Sequence, residues 1–141
     1  VSRDTSAIDA AVVGRLLADT ALMAAMPGGV YFDVAADGKT QYVLVSHVDA
    51  SDDHYFENER DEHIVYAIKA VELSTTGSNV GTAARRIDAL FDGADFAITG
   101  YNLHSSQREK PLRYTEVDDV DRSKRWQHRG GHYEVVAQPL P

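Results

Sequence analysis

The side chains best suited to chemistry are the six histidines, and three of them, His47, His54 and His63, flank a carboxylate run that includes Asp49, Asp52 and Asp53. Imidazole and carboxylate together can hold a divalent metal or share a proton. If the segments around 47 and 63 form a hairpin, His47 and His63 face each other across it. A small metal-dependent enzyme or ligand-binding α+β fold using His47, His54 and His63 is then one reading. The spacing matches no HExxH motif, EF-hand loop or facial triad. His104-Ser105-Ser106 sets an imidazole beside hydroxyls, but no G-x-S-x-G elbow accompanies it. His128 and His132 straddle Gly130-Gly131 and read as strand-surface residues. The glycines of TTGSNVG precede a helical pattern without a GK[ST] or GxGxxG signature, so a strand-to-helix turn is the simpler reading. No catalytic residue, cofactor or metal is expected on these grounds. The chain reads as built for contact rather than catalysis.

The elements that would position these residues centre on 63–91. In 63–73 the period is two: Ile64, Tyr66, Ile68 and Ala70 share an apolar face opposite His63, Val65, Ala67, Lys69 and Val71, as in a strand with one face on a core. After STTGSN the period changes. Val80, Ala83, Ala84, Ile87, Leu90 and Phe91 recur at three and four residues, which predicts an amphipathic helix over 78–92. Ser78 or Asn79 is placed to cap it, and Gly93 to end it in a left-handed turn.

Upstream, 6–26 reads as helix along Ile8, Val12 and Leu16, with an interruption at Asp19-Thr20 where Asp19 can cap a second short turn. Pro27-Gly28-Gly29 ends it. Residues 30–32 and 41–48 read as strands, the latter pairing antiparallel with 63–73 across a long arm. Downstream, 96–103 and 112–117 read as two strands separated by the polar segment 104–111, with Pro111 marking an edge or turn. The last strand is 125–137. Trp126 and His128 differ in parity from Tyr133, Val135 and Ala137, and a bulge at Gly130-Gly131 would restore a common face. The expected fold is α+β: a mixed, mostly antiparallel sheet, two main helices packed on one face and a long β-hairpin arm. With 141 residues and no repeat or linker, one domain spanning 1–141 is expected.

Charge narrows the partners. The net charge of −8 argues against gripping nucleic-acid phosphates. Residues 49–62 hold seven carboxylates (Asp49, Asp52, Asp53, Glu57, Glu59, Asp61, Glu62) against Arg60, whereas 122–129 carries Arg122, Lys124, Arg125 and Arg129. Such segregation suits head-to-tail contact between identical subunits. Asp52, Asp53, Tyr55, Phe56, Glu57 and Glu59 on the acidic side, and Arg122, Lys124, Arg125 and Arg129 on the basic side, are the candidate interface. The other reading is two solvated loops. No cysteine is present, which rules out disulfides and thiolate sites and fits a cytoplasmic setting. VSRDTSAID has no signal-peptide character, and no apolar run is long enough to span a membrane.

The order of elements resembles the small tail-terminator, or tail-completion, proteins of long-tailed phages and phage-like particles. The matching pieces are VVGRLL with the double leucine Leu16-Leu17, the turn at 22–26, Gly29-Val30-Tyr31-Phe32-Asp33, the hairpin 42–46 with 66–71, the small-residue helix 83–91 and the final strand 125–136. The resemblance covers nearly the whole chain through short motifs; the 49–62 arm and the 104–111 segment fit it less well. It implies a non-enzymatic structural protein of the virion, assembled in the host cytoplasm and placed at the tail–neck junction. Its partners would be other copies in a hexameric ring, the tail tube protein and a head-side connector or stopper. DNA would pass through the lumen without specific binding, and no membrane or cofactor is implied. Another head–tail joining protein of the neck is the related alternative.

Overall fold

The alternation at 63–73 does build the centre of a sheet. In a computed structural model, which describes residues 6–54 and 60–141, the described elements run α1 (Ser6–Ala18), α2 (Thr20–Ala25), β1 (Val30–Phe32), β2 (Gln41–His54), β3 (Arg60–Ser74), α3 (Ser78–Phe91), β4 (Tyr101–Val117) and β5 (Arg125–Pro139). The strands lie in the order β1-β2-β3-β5-β4, with β1 parallel to β2 and every other pair antiparallel. This is the expected mixed α+β sheet. Its two hairpins are long: at about 3.3 Å per residue, β3 alone spans about 50 Å.

One face carries the helices. Ile8, Val12 and Leu16 of α1, Leu22 of α2 and Val80, Ala83, Ile87 and Phe91 of α3 are buried with Val43, Val45, Ile64, Tyr66, Ile68, Ala70, Tyr133, Val135 and Ala137 of the sheet. The spacing of the α3 residues is the amphipathic stripe read from the sequence. Asp19 divides α1 from α2 as the sequence suggests. Its backbone is extended and its carboxylate accepts from Leu22 N at 3.2 Å. The same carboxylate takes a two-pronged grip from Arg86 of α3, at 2.9 and 2.8 Å. That hydrogen-bonded guanidinium holds the Asp19 pKa below its ordinary value. Asp19→Ala removes a cap and a cross-helix ion pair together, and is expected to cost about 1–3 kcal/mol of stability. Urea denaturation would measure it; an unchanged midpoint would contradict this role.

Four local expectations are corrected. First, α3 is not capped by Ser78 or Asn79: the residue before it is Gly77 at φ 66°, and the turn is held by Ser74 Oγ, which accepts from Thr76 N and Gly77 N. At the other end Gly93 does take the left-handed conformation, and its N–H donates to Ser106 O. Second, β2 runs past the expected 48 to His54, with a register shift at Val48. Third, 101–117 is one continuous strand, with irregular backbone before it and two register shifts within it. It forms the sheet's edge, which is why it tolerates Pro111. Fourth, β5 has no bulge at Gly130-Gly131, because its pairing with β3 runs unshifted from Arg125 to Ala137.

The mixed parity of β5 has a different cause: the helix-free face is partly covered too. Tyr42, Val71, His128 and Tyr114 form one row across β2, β3, β5 and β4. Tyr114 stacks on His128 at 4.2 Å, and Tyr42 meets Trp126 at 6.5 Å. Val71 and His128 are buried beneath this aromatic layer.

Candidate functional site

The histidines do not converge. His47 lies on the helix-bearing face, where Nε2 meets Asp9 Oδ1 at 2.7 Å and the ring sits edge-on to Phe32 and Tyr66. His63 lies on the opposite face, 2.8 Å from Asp53 and 3.9 Å from Glu134. The register shift at Val48 and the two-residue alternation of β3 put them on different sides of the sheet. His54 stands opposite Arg60 at the end of the hairpin. Among the described residues no group of three or more His, Asp or Glu is arranged to hold a metal. The reading built on His47, His54 and His63 is therefore corrected: residues near in sequence point apart in space.

Asp9, His47 and Tyr66 form a polar cluster that spacing alone gave no way to find. They come from α1, β2 and β3. Tyr66 donates to Asp9 at 2.5 Å, and burial together with that carboxylate pushes the phenol far above its ordinary pKa. Tyr66 thus remains a neutral donor, and the cluster ties α1 to the sheet. His104 meets Asp61 at 3.3 Å, and His128 meets Glu116 at 2.8 Å.

His128 carries a pH consequence. Burial, with the nearby Lys69 ammonium, lowers its pKa, and Glu116 opposes this. His132 is lowered by burial and Lys110. A histidine depressed in the folded state is protonated more readily in the unfolded chain. Its contribution to stability is complete above the unfolded value, about 6.5, and is lost as pH falls below it towards the folded value. Melting temperature is expected to drop between pH 7 and about 5, with a shallower drop in His128→Gln; equal slopes in the two proteins would contradict the assignment.

Charge is distributed along the sheet rather than around a cleft. Asp49, Asp52 and Asp53 are exposed on the outer part of β2, where Arg60 lies 3.3 Å from Asp52 and 3.7 Å from Glu62. Tyr55, Phe56, Glu57 and Glu59 lie outside the described residues. Ser74 pairs with Arg125 while His54 pairs with Arg60, so the acidic hairpin end and the 118–124 turn sit at opposite ends of β3. The turn is internally braced. Asp121 Oδ1 accepts from Ser123 N and Oγ, Asp118 accepts from Trp126 Nε1, and Arg125 donates to the carbonyls of Arg122 and Lys124. Arg122 and Lys124 remain exposed there.

Arg129 does not join that cluster. It lies mid-strand against α3, where a Cβ on Gly81 would come within 2.9 Å of its guanidinium. With Arg85, Arg108 and Arg113 it lines a groove of about 450 Å³ between α3 and the β4–β5 hairpin. Asp88 stands in the groove and is engaged by Arg108 at 3.2 Å and by Tyr133 Oη at 3.1 Å. The sequence reading missed this groove because its arginines come from three separate elements.

No family model matches the sequence, and no curated protein matches it in sequence. The fold does match a solved structure. A chain described as "Virion of native gene transfer agent (GTA) particle" superposes with a TM-score of 0.71 at 18% identity, over 95% of this chain and 96% of that one. No described helix is long and apolar enough to cross a membrane.

Proposed function

We propose that this chain is a structural protein of a phage-like particle, and that it serves as the tail terminator: a ring, hexameric in the simplest case, that caps the tail tube, stops its polymerisation and presents a docking surface to the head-side connector. One observation carries the reading: the fold agrees over nearly the full length of both chains with a component of a gene transfer agent virion. The motif order in the sequence points the same way. Acidic and basic ends on opposite ends of a long sheet supply what a heterologous, ring-closing contact needs. Excess negative charge would let DNA pass through the lumen without adhering. Another neck protein between tail and head is the second reading.

The experiment is mass and symmetry in solution together with tube capping. A terminator should form rings of about six subunits and bind the ends of tail tubes. A protein that binds the portal-side adaptor but not tubes would favour the second reading. A strict monomer without tube affinity would overturn both. Reversing Arg122, Lys124 and Arg125 together is expected to weaken assembly, with stronger dependence on salt than in the wild type; unchanged oligomer mass would remove that turn from the interface.

A further inference from the structure

The groove between α3 and the β4–β5 hairpin holds more positive charge than the fold uses. Of its four arginines, Arg108 is paired with Asp88. Arg113 and Arg129 stand directly opposite each other on β4 and β5, an arrangement in which like charges repel. Arg85 on the helix wall reaches no closer partner than Thr82 Oγ1, at 3.4 Å. Among the described residues, no carboxylate lies within ion-pairing distance of Arg85, Arg113 or Arg129. Gly81 opens the space in which the Arg129 guanidinium lies, and Ala84, Pro111 and Leu112 add small or apolar surface beside it. Three arginines lining one groove offer guanidinium groups that can grip carboxylates through paired hydrogen bonds.

The complementary charge is on the same chain but out of its own reach. Asp49, Asp52 and Asp53 are exposed at the outer end of β2, which stays paired with β3 as far as His54. Arg129 pairs with Ala70 of β3, whereas Asp49, Asp52 and Asp53 pair with Val65, Glu62 and Asp61, farther along the same strand. At about 3.3 Å per residue the separation is about 16–30 Å of paired strand. Held in the ladder, the acidic end does not reach its own groove, and carboxylates that enter the groove come from another molecule.

We propose that the Arg85–Arg113–Arg129 groove receives the acidic hairpin end, residues 49–54, of a second copy of this chain, so that successive subunits join head to tail. The inference rests on the ring reading above and gives the acidic end the groove, in place of the 122–125 turn, as its basic partner. Filling the groove relieves the repulsion between Arg113 and Arg129, and each subunit offers one arm and one groove. Such a contact is heterologous and closes into a ring when its rotation permits.

The test is a charge exchange. One variant carries Arg85→Glu, Arg113→Glu and Arg129→Glu; the other carries Asp49→Lys, Asp52→Lys and Asp53→Lys. Each alone is expected to run at the 15.5 kDa subunit mass, and an equimolar mixture to recover the oligomer, because every acidic arm then finds a basic groove or the reverse. Melting curves check that both variants fold. Should the groove variant fail to fold, Arg113→Gln with Arg129→Gln replaces it and is expected to raise the concentration needed for assembly by about tenfold or more. Variants that assemble like wild type, or a mixture that stays at subunit mass, overturn the groove assignment and leave the ring reading standing. A groove variant that assembles normally but loses retention of duplex DNA also overturns it, making the groove a phosphate surface. A wild-type chain that never exceeds subunit mass overturns both.

Discussion

Ile68→Asp is expected to yield a chain that does not fold. Ile68 is fully buried at the middle of β3, between Val45 of β2 and Gly131 of β5, and beneath the helices. The change removes about 2–3 kcal/mol of apolar burial. It also places a carboxylate in the apolar core, at a cost of several kcal/mol whether the group stays charged or takes up a proton. The sum rivals the net stability of about 5–15 kcal/mol common to folds of this size. Ile87→Asp, on the facing helix, should behave alike, since Ile87 is equally buried. Circular dichroism during heating is the measurement. A cooperative transition near that of wild type would mean that β3 and α3 do not form the core.

The second large effect is steric. A Cβ built on Gly130 falls 2.0 Å from Ile68 O and 2.6 Å from Lys69 Cα. Both are backbone atoms of β3, so no rotamer change can move them aside, and the ladder must buckle at its centre. Gly130→Val is expected to cost more than about 4 kcal/mol, and Gly130→Ala to be severe as well. Gly131→Ala should be milder. Its Cβ would meet Lys110 O at 3.0 Å and the edges of Tyr133 and Arg108 at 3.1 and 3.2 Å, contacts that small shifts can relax. Denaturant midpoints should therefore rank wild type above Gly131→Ala above Gly130→Ala. A Gly130→Ala protein with the wild-type midpoint would show that β3 and β5 do not approach so closely.

Those two glycines also show where sequence reasoning stops. The core was legible because burial writes a period into the chain: Ile64, Tyr66, Ile68 and Ala70 at two, then Val80, Ala83, Ile87 and Phe91 at three and four. Asp19 was legible because capping needs a short acceptor at one position. A bulge at Gly130-Gly131 was inferred on the assumption of a single buried face. The sheet instead buries His128 and Val71 under rings on its other side, so apolar or aromatic residues of both parities belong to one regular strand. β4 was divided at 104–111 for the opposite reason. Apart from Ser106, little of that segment is buried, and its strand conformation comes from backbone pairing with β5, which leaves no hydrophobic trace.

The candidate site was less legible still. Segregation of charge could be seen, and the structure does set its two poles at opposite ends of β3. It could not be seen that Arg129 parts company with Arg122, Lys124 and Arg125 to meet Arg85 and Arg113, since that gathering depends on which residues of β5 face α3. Nor could the histidines be sorted. His47 and His63 look like partners across a hairpin until the one-residue shift at Val48 turns them to different faces.

The sheet's two borders have a further consequence. A bare strand edge is a template on which another chain can add by backbone hydrogen bonding, and such addition has no natural stopping point. Here one border is β1, three residues long, beyond which β2 itself forms the edge from Ser46 to His54 and sets the charges of Asp49, Asp52 and Asp53 along it. The other, β4, is long, but Pro111 removes a donor, two register shifts kink its line, and Arg108, Lys110 and Arg113 crowd it with charge. Continuous sheet growth from copy to copy is thereby discouraged at both margins. On the terminator reading proposed above, copies would meet through side chains, whose angles can fix a number and end the count.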